Sequence, residues 1–409
     1  MAKQSKKKPN KSNVSVKELL ELIPDTFIEE LTDTLEVDKW VKKLKGGHIF
    51  KLVLFSLLSS ERLSLRIMES NYKDPLFRIL APAITEDAVG WTGIRERLMK
   101  INVSFFRQLY ESVYTSAKEV YGGEKLAGYH IKKYDSTMIA TFSHLLEGMH
   151  VGNTKKGKTQ TKLTTEFSDD FLVRMDFFKD QEHLSEETAL KEVIEAATSD
   201  DTDIHVFDKG LKSRETFKSF DDDSIKFVTR VHENPRYEMV GPYWTDDGQQ
   251  DSEDLEFVQD SIVKLYKSGH ELIDHEFRLI QYQVKNPNNG KDKKLSFLTN
   301  VWDIDAASIA QIYKSRWDIE VLFRFMKQEM NLDHFVCNDS NAIEVMLYCT
   351  MIASMLLLIY KKENNINSYK KAKIKFYKEL VSLIFLEILE NPDELIRLKT
   401  NLKKYVKRE

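Results

Sequence analysis

Apolar residues recur at helical spacing through the first third of the chain. They fall into short, strand-like runs through the middle and return to helical spacing after residue 300. Leu19, Leu20 and Ile23 mark a short first helix halted by Pro24, His48–Leu58 is strongly apolar, and Phe105–Tyr121 is amphipathic. Gly122 and Gly123 close this helical region. Tyr129–Ile139 then reads as a strand or hairpin, Phe171–Phe178 alternates, Glu186–Ala197 is a helix, and Asp203–Phe207 is a short apolar strand running into a helix over Ser213–Phe220. Ser224–Val231 and Leu295–Val301 read as further core strands. Between them, Tyr237–Trp244, Leu272–Val284 and a turn at Pro287–Gly290 read as a β-rich insertion. Asp305 leads into a helix, and Ile312–His334, free of Gly and Pro, reads as one long helix.

That long helix carries the first candidate chemistry. At roughly 100° per residue, Tyr313, Arg316, Glu320 and Lys327 share one narrow stripe. A phenol, a guanidinium, a carboxylate and an ammonium so placed suit a site that handles a metal ion and a phosphate backbone together. Arg316 and Glu320 alone, at i and i+4, are equally the spacing of an ordinary surface ion pair. Two further carboxylates stand at informative places. Asp135 lies in a strand-like run, where Asp is disfavoured, unless it caps a turn. Asp208 follows the strand Asp203–Phe207 and opens Asp208-Lys209-Gly210, at the strand edge where α/β sheets gather ligands, although a helix-capping Asp would look the same.

The spacing Tyr313-x2-Arg316-x3-Glu320-x6-Lys327 resembles the Y-R-E-K signature of the bacterial insertion-sequence transposases named after insertion sequence four. The resemblance runs from about Leu126 to Tyr360, more loosely into the N-terminal region. It implies an α/β fold with a ribonuclease H-like core, a mixed sheet flanked by helices. Asp135, Asp208 and Glu320 then become the catalytic and metal-binding triad, with Mg²⁺, or alternatively Mn²⁺, as cofactor. Leu211 stands where the family's Asp-Arg/Lys-Gly-aromatic motif carries an aromatic residue. The implied division is a basic tail over 1–13 and a helical DNA-binding domain over 14–125. The catalytic core covers 126–232 and 295–360, the insertion 233–294, and a basic helical C-terminal region 361–409. Tyr313, Arg316 and Lys327 would hold DNA, as would the basic run containing Lys155, Lys156 and Lys158, unless that run is a solvated hairpin tip. Trp244, with Tyr243, either stacks on a displaced base or belongs to a β core. The partners so implied are double-stranded DNA, as terminal inverted repeats and target, and a second copy of the chain in a synaptic dimer.

Composition narrows the field. A net charge of −4 over 409 residues excludes a uniformly basic DNA coat, so phosphate binding must rest on local clusters. Cys337 and Cys349 show no metal-ligand spacing, and no signal peptide is apparent, which together point to the cytoplasm. Val345–Tyr360, broken only by Thr350 and Ser354, is short for a membrane span and reads as a buried core helix. No H-E-x-x-H and no G-x-x-x-x-G-K-[ST] occurs, which argues against zinc hydrolysis and a nucleotide loop. The rival readings are a ribonuclease H-like nuclease without strand transfer and a non-catalytic DNA-binding derivative of a transposase.

Overall fold

A computed structural model describes residues 13–81, 89–123, 125–140, 149–150, 159–168, 171–197, 200–232, 235–243, 255–267, 271–285, 294–332, 335–337 and 339–406. The chain divides into two compact units, one formed by residues 1–122 and 323–409 and the other by 123–322.

The first unit is helical. Its N-terminal part holds α1 (Val16–Leu20), α2 (Asp25–Thr34), α3 (Gly46–Ser59), α4 (Leu65–Lys73), α5 (Pro75–Leu80), α6 (Trp91–Lys100) and α7 (Val103–Tyr121). Ser15 and Glu18 form a reciprocal cap on α1, so the short helix starts where the sequence places it. Pro24, which ends that run, is the N-cap residue of α2.

The second unit holds β1 (His130–Ala140), β2 (Met149–His150), β3 (Thr159–Ser168), β4 (Phe171–Phe178), α8 (Glu186–Ala196), β5 (Asp203–Phe207), α9 (Arg214–Asp222) and β6 (Phe227–Val231). They are followed by β7 (Tyr237–Pro242), β8 (Leu255–Tyr266), β9 (Leu272–Val284), β10 (Lys294–Thr299) and α10 (Ala306–Lys314). The chain ends in α11 (Trp317–Glu329), within which the unit boundary falls, then α12 (Ser340–Glu363), α13 (Tyr369–Glu390) and α14 (Pro392–Val406).

All ten strands join one mixed sheet in the order β2-β3-β1-β5-β6-β10-β9-β8-β7, with β4 paired to β3. The centre, β1-β5-β6, is parallel and its flanks are antiparallel. Parallel strands need cover on both faces, and β5 and β6 are correspondingly buried at every position but Arg230. One face packs Ala189, Leu190, Val193 and Ile194 of α8 with Phe217 and Phe220 of α9. The other packs Val206 and Val228 against Ile309, Ala310 and Ile312 of α10. The mixed sheet flanked by helices is therefore as expected.

Three features differ from the sequence reading. The strands expected to form a separate insertion, β7 to β9, extend the core sheet: β9 pairs with β10 over six residues and β8 with β9. Alternation along a strand cannot distinguish a separate β layer from more of the same sheet, because both bury one face.

Residues 323–360, expected in the catalytic core, belong to the helical unit together with α13 and α14. The physical cause is α12, which is buried on nearly every side and so needs helices all round it. Asn341 fastens it to the end of α6, donating to the Leu98 and Ile101 carbonyls at 2.8 and 2.9 Å. This helix is the one described segment long and apolar enough to cross a membrane, and its apolar window is mostly buried inside the protein.

The third difference is in the signature helix. It breaks between α10 and α11, at Ser315 and Arg316. The Ser315 hydroxyl donates to the Ile312 carbonyl at 2.7 Å, while Arg316 N–H bonds the Tyr313 carbonyl three residues back and Ile319 N–H the Arg316 carbonyl. A side chain that competes for backbone acceptors, with a turn tightened to i+3 bonds, is enough to interrupt a helix without Gly or Pro.

Candidate active site

Strand register sets the positions of the first two carboxylates. In the parallel β1–β5 pair Lys133 lies opposite Val206, so Asp135 and Asp208, two residues further along each chain, follow side by side. Side chains two apart share a face, and Val206 belongs to the face packed on α10. Asp135 and Asp208 therefore project toward α10 and α11. Asp135 lies inside β1 and does not cap a turn. Asp208 directly follows β5, in the loop before α9, where its Oδ1 accepts from the Gly210 N–H at 2.7 Å.

Glu320 comes from the first turn of α11, and the Arg316 guanidinium donates to its Oε1. Arg316 also lies over the Tyr313 ring, 5.6 Å from its centroid, and Tyr313 packs on Phe297 of β10 with ring centroids 5.1 Å apart. The helix break therefore keeps Tyr313, Arg316 and Glu320 together, although not as a stripe on one straight helix. Lys327 stands two turns further along α11, in the stretch that belongs to the other unit. Lys133 of β1 forms a 3.0 Å ion pair with Asp318, so each partner stands two residues from a triad carboxylate.

Electrostatics report the same convergence. Burial pushes the Asp135 carboxyl up to about 7; the Arg316 charge and the Ser136 N–H oppose this, and the Asp208 and Glu320 charges reinforce it. Burial likewise raises the Tyr313 phenol, against the pull of Arg316. Among the described residues, no three His, Cys, Asp or Glu side chains already close around one point as a metal would require. Glu320 is instead held in an ion pair by Arg316. The donors are nevertheless all hard carboxylate oxygens, the chemistry a divalent cation such as Mg²⁺ selects.

One residue of this site escaped the sequence reading. Phe207 lies opposite Thr229 in the parallel β5–β6 pair, so Arg230 is the next residue in line beside Asp208. It also pairs with Phe297 across β10, the ring that carries Tyr313. Asp135, Asp208 and Arg230 thus form a row across three adjacent strands. The Nε atoms of Arg230 and Arg316 are both buried without a hydrogen-bond partner among the described residues. A strand reading Phe-Val-Thr-Arg-Val signals only that one cation interrupts an apolar run. Leu211, where an aromatic was expected, is buried in the core on the α8–α9 face and fills that position as an aliphatic residue.

Lys155, Lys156, Lys158 and Trp244 lie outside the described residues. Tyr243 is committed structurally: its ring stacks 4.3 Å from the Arg278 guanidinium, and its hydroxyl donates to the Trp302 carbonyl.

Residues 131–356 match the family model described as the transposase DDE domain. The putative transposase y4zB of Sinorhizobium fredii is 30% identical over 162 residues, covering 40% of this chain and 44% of that protein. The chain thus aligns with less than half the length of that relative. The transposase for insertion sequence element IS231F of Bacillus thuringiensis subsp. israelensis is 22% identical over 95% of this chain and 89% of its own. The probable transposase for element IS5377 of Geobacillus stearothermophilus is 35% identical over 83 residues, 19% of this chain and 22% of that one. Among solved structures, the piggyBac transposase synaptic complex with hairpin DNA aligns with a TM-score of 0.48 and 14% identity, over 98% of this chain and 87% of that one. With a family match that spans more than half of its length and includes all three carboxylates, the chain belongs to the DDE-domain transposases.

Proposed function

We propose that this protein binds the ends of its own insertion sequence, cleaves them by metal-dependent phosphodiester hydrolysis and joins them to target DNA. The observation that carries this reading is Asp135 within β1 and Asp208 just past the end of the adjacent parallel β5, with the charges of Asp208, Glu320 and Arg316 all acting on Asp135 and Arg230 next in line on β6. The core is read as ribonuclease H-like. Asp135, Asp208 and Glu320 would hold Mg²⁺ or Mn²⁺, which when bound activates the attacking water or 3′-hydroxyl and stabilises the leaving oxygen. Arg230 and Arg316 hold non-reacting phosphate oxygens through their unpartnered Nε–H groups. Arg316 does so by leaving Glu320 free for the cation. Tyr313 supports the guanidinium from beneath. Release of the flanking strand through a DNA hairpin, and synapsis of two ends by a homodimer, belong to this proposal.

The test is incubation of the purified protein with Mg²⁺ and labelled DNA that carries the element's ends. Metal-dependent nicking followed by hairpin and strand-transfer products is the expected result. Cleavage that never proceeds to joining would establish the nuclease reading instead, and binding without cleavage in Mg²⁺ or Mn²⁺ the non-catalytic one.

The raised Asp135 carboxyl gives a pH dependence with a defined sign. Its folded value, about 7, lies above the ordinary 3.8, so the metal-free folded state holds a proton that the unfolded chain has released. Asp135's contribution to stability is therefore present at acid pH and is lost as pH rises through about 7. A cation binds the ionised carboxylate and reverses that loss. Melting temperatures with and without Mg²⁺, taken from about pH 5.5 to about pH 8, should diverge as pH rises. A gap that does not change with pH would remove Asp135 from the metal site.

A further inference from the structure

We infer that Glu186 is a fourth carboxylate of the reaction centre, seated against Asp208 and sharing its divalent cation; this inference rests on the function proposed above. Glu186 is the first residue of α8, and its neighbour Glu187 does the structural fastening there. Glu187 accepts from the backbone N–H groups of Ser213, at 2.7 Å, and Lys212, at 3.4 Å, and so pins the loop that follows Asp208. Glu186 makes no hydrogen bond or ion pair of its own among the described residues. Its carboxylate instead lies over Gly210.

A Cβ on Gly210 would stand 2.5 Å from the Glu186 Cδ and Oε2 and 2.8 Å from the Asp208 Oδ1, so both carboxylates converge on one bare α-carbon. Two like charges brought this close repel unless a cation lies between them. Lys162, Arg316 and Lys212 offset part of this charge without forming an ion pair with Glu186 among the described residues, and the Lys162 ammonium donates to the Leu184 carbonyl at 2.7 Å. The arrangement explains why the loop carries Asp-Lys-Gly: a side chain at position 210 would drive Glu186 off Asp208.

Mn²⁺ binding to the full-length protein, measured by electron paramagnetic resonance with end DNA present, tests the assignment without reading activity. Asp208→Asn should abolish binding, and Glu186→Gln should weaken it about tenfold or more. Affinity for end DNA in EDTA should stay at the wild-type level in both. Gly210→Ala should weaken Mn²⁺ binding at least as much as Glu186→Gln, because its methyl group would crowd both the Glu186 and the Asp208 carboxylates. Wild-type Mn²⁺ affinity in Glu186→Gln, alongside loss in Asp208→Asn, would overturn the role of Glu186 and leave the transposase reading intact. A wild-type protein that binds no Mn²⁺ would overturn both.

Discussion

Asp135→Asn, Asp208→Asn and Glu320→Gln are each expected to cut end cleavage by about a thousandfold or more, because the metal ions they hold supply several kcal/mol of transition-state stabilisation. Binding of end DNA should survive all three, since phosphate contacts rest on the cations and not on the carboxylates. Isosteric amides are the informative choice. Asn at 208 keeps an oxygen that can accept from the Gly210 N–H, so the loop geometry is preserved while the charge is lost. A second consequence separates catalysis from structure. The Asp208 and Glu320 charges both raise the Asp135 carboxyl, so neutralising either relieves a repulsion the metal-free fold now carries. Asp208→Asn should therefore melt at a higher temperature than wild type in EDTA while being inactive in Mg²⁺. Gel-based cleavage and calorimetry on the same preparations check both halves. A variant that cleaves at more than a few per cent of the wild-type rate, or that melts lower, would refute the assignment.

Arg278→Met should destabilise the protein by about 3–5 kcal/mol, the usual loss when one partner of a buried ion pair is removed. The Arg278 side chain is fully buried and that of Asp260 nearly so. The guanidinium donates to Asp260 from Nε at 3.1 Å and from Nη2 at 2.7 Å. Its Nη1 donates to the carbonyls of Val301 and Ile304, at 3.2 and 2.6 Å, and its face covers Tyr243. Methionine fills much of the volume but leaves a buried carboxylate with only the Ser261 N–H against it among the described residues, and takes the guanidinium donor from two carbonyls. Those carbonyls lie in the segment that delivers the chain from β10 into α10, so the loss also loosens the approach to Tyr313, Arg316 and Glu320. Chemical denaturation should show the full loss in the single variant and a large recovery in Arg278→Met with Asp260→Leu, which removes the orphaned charge. Equal destabilisation in both would mean that the carbonyl contacts, and not the ion pair, hold the segment.

Local chemistry was legible without coordinates. Asp203–Phe207 is β5 as read, Asp305 caps α10 through Ser308, and Ser213 caps α9, because short-range periodicity and side-chain capping are decided by neighbours in the chain. The triad was legible only through the spacing of Tyr313, Arg316, Glu320 and Lys327 and the family it resembles. Nothing in the periodicity says that Asp135 and Asp208 lie abreast.

Tertiary structure decided the rest. Register placed Asp135, Asp208 and Arg230 in one row, and hydrogen bonding between strands far apart in sequence fixes register. Burial on all sides assigned α12 to the helical unit rather than the catalytic one, a choice an evenly apolar helix cannot announce by itself. Edge pairing made β7, β8 and β9 part of the core sheet. The chain by itself determined which groups are available for chemistry. Only the fold, through pairings between distant segments, determined which of them meet.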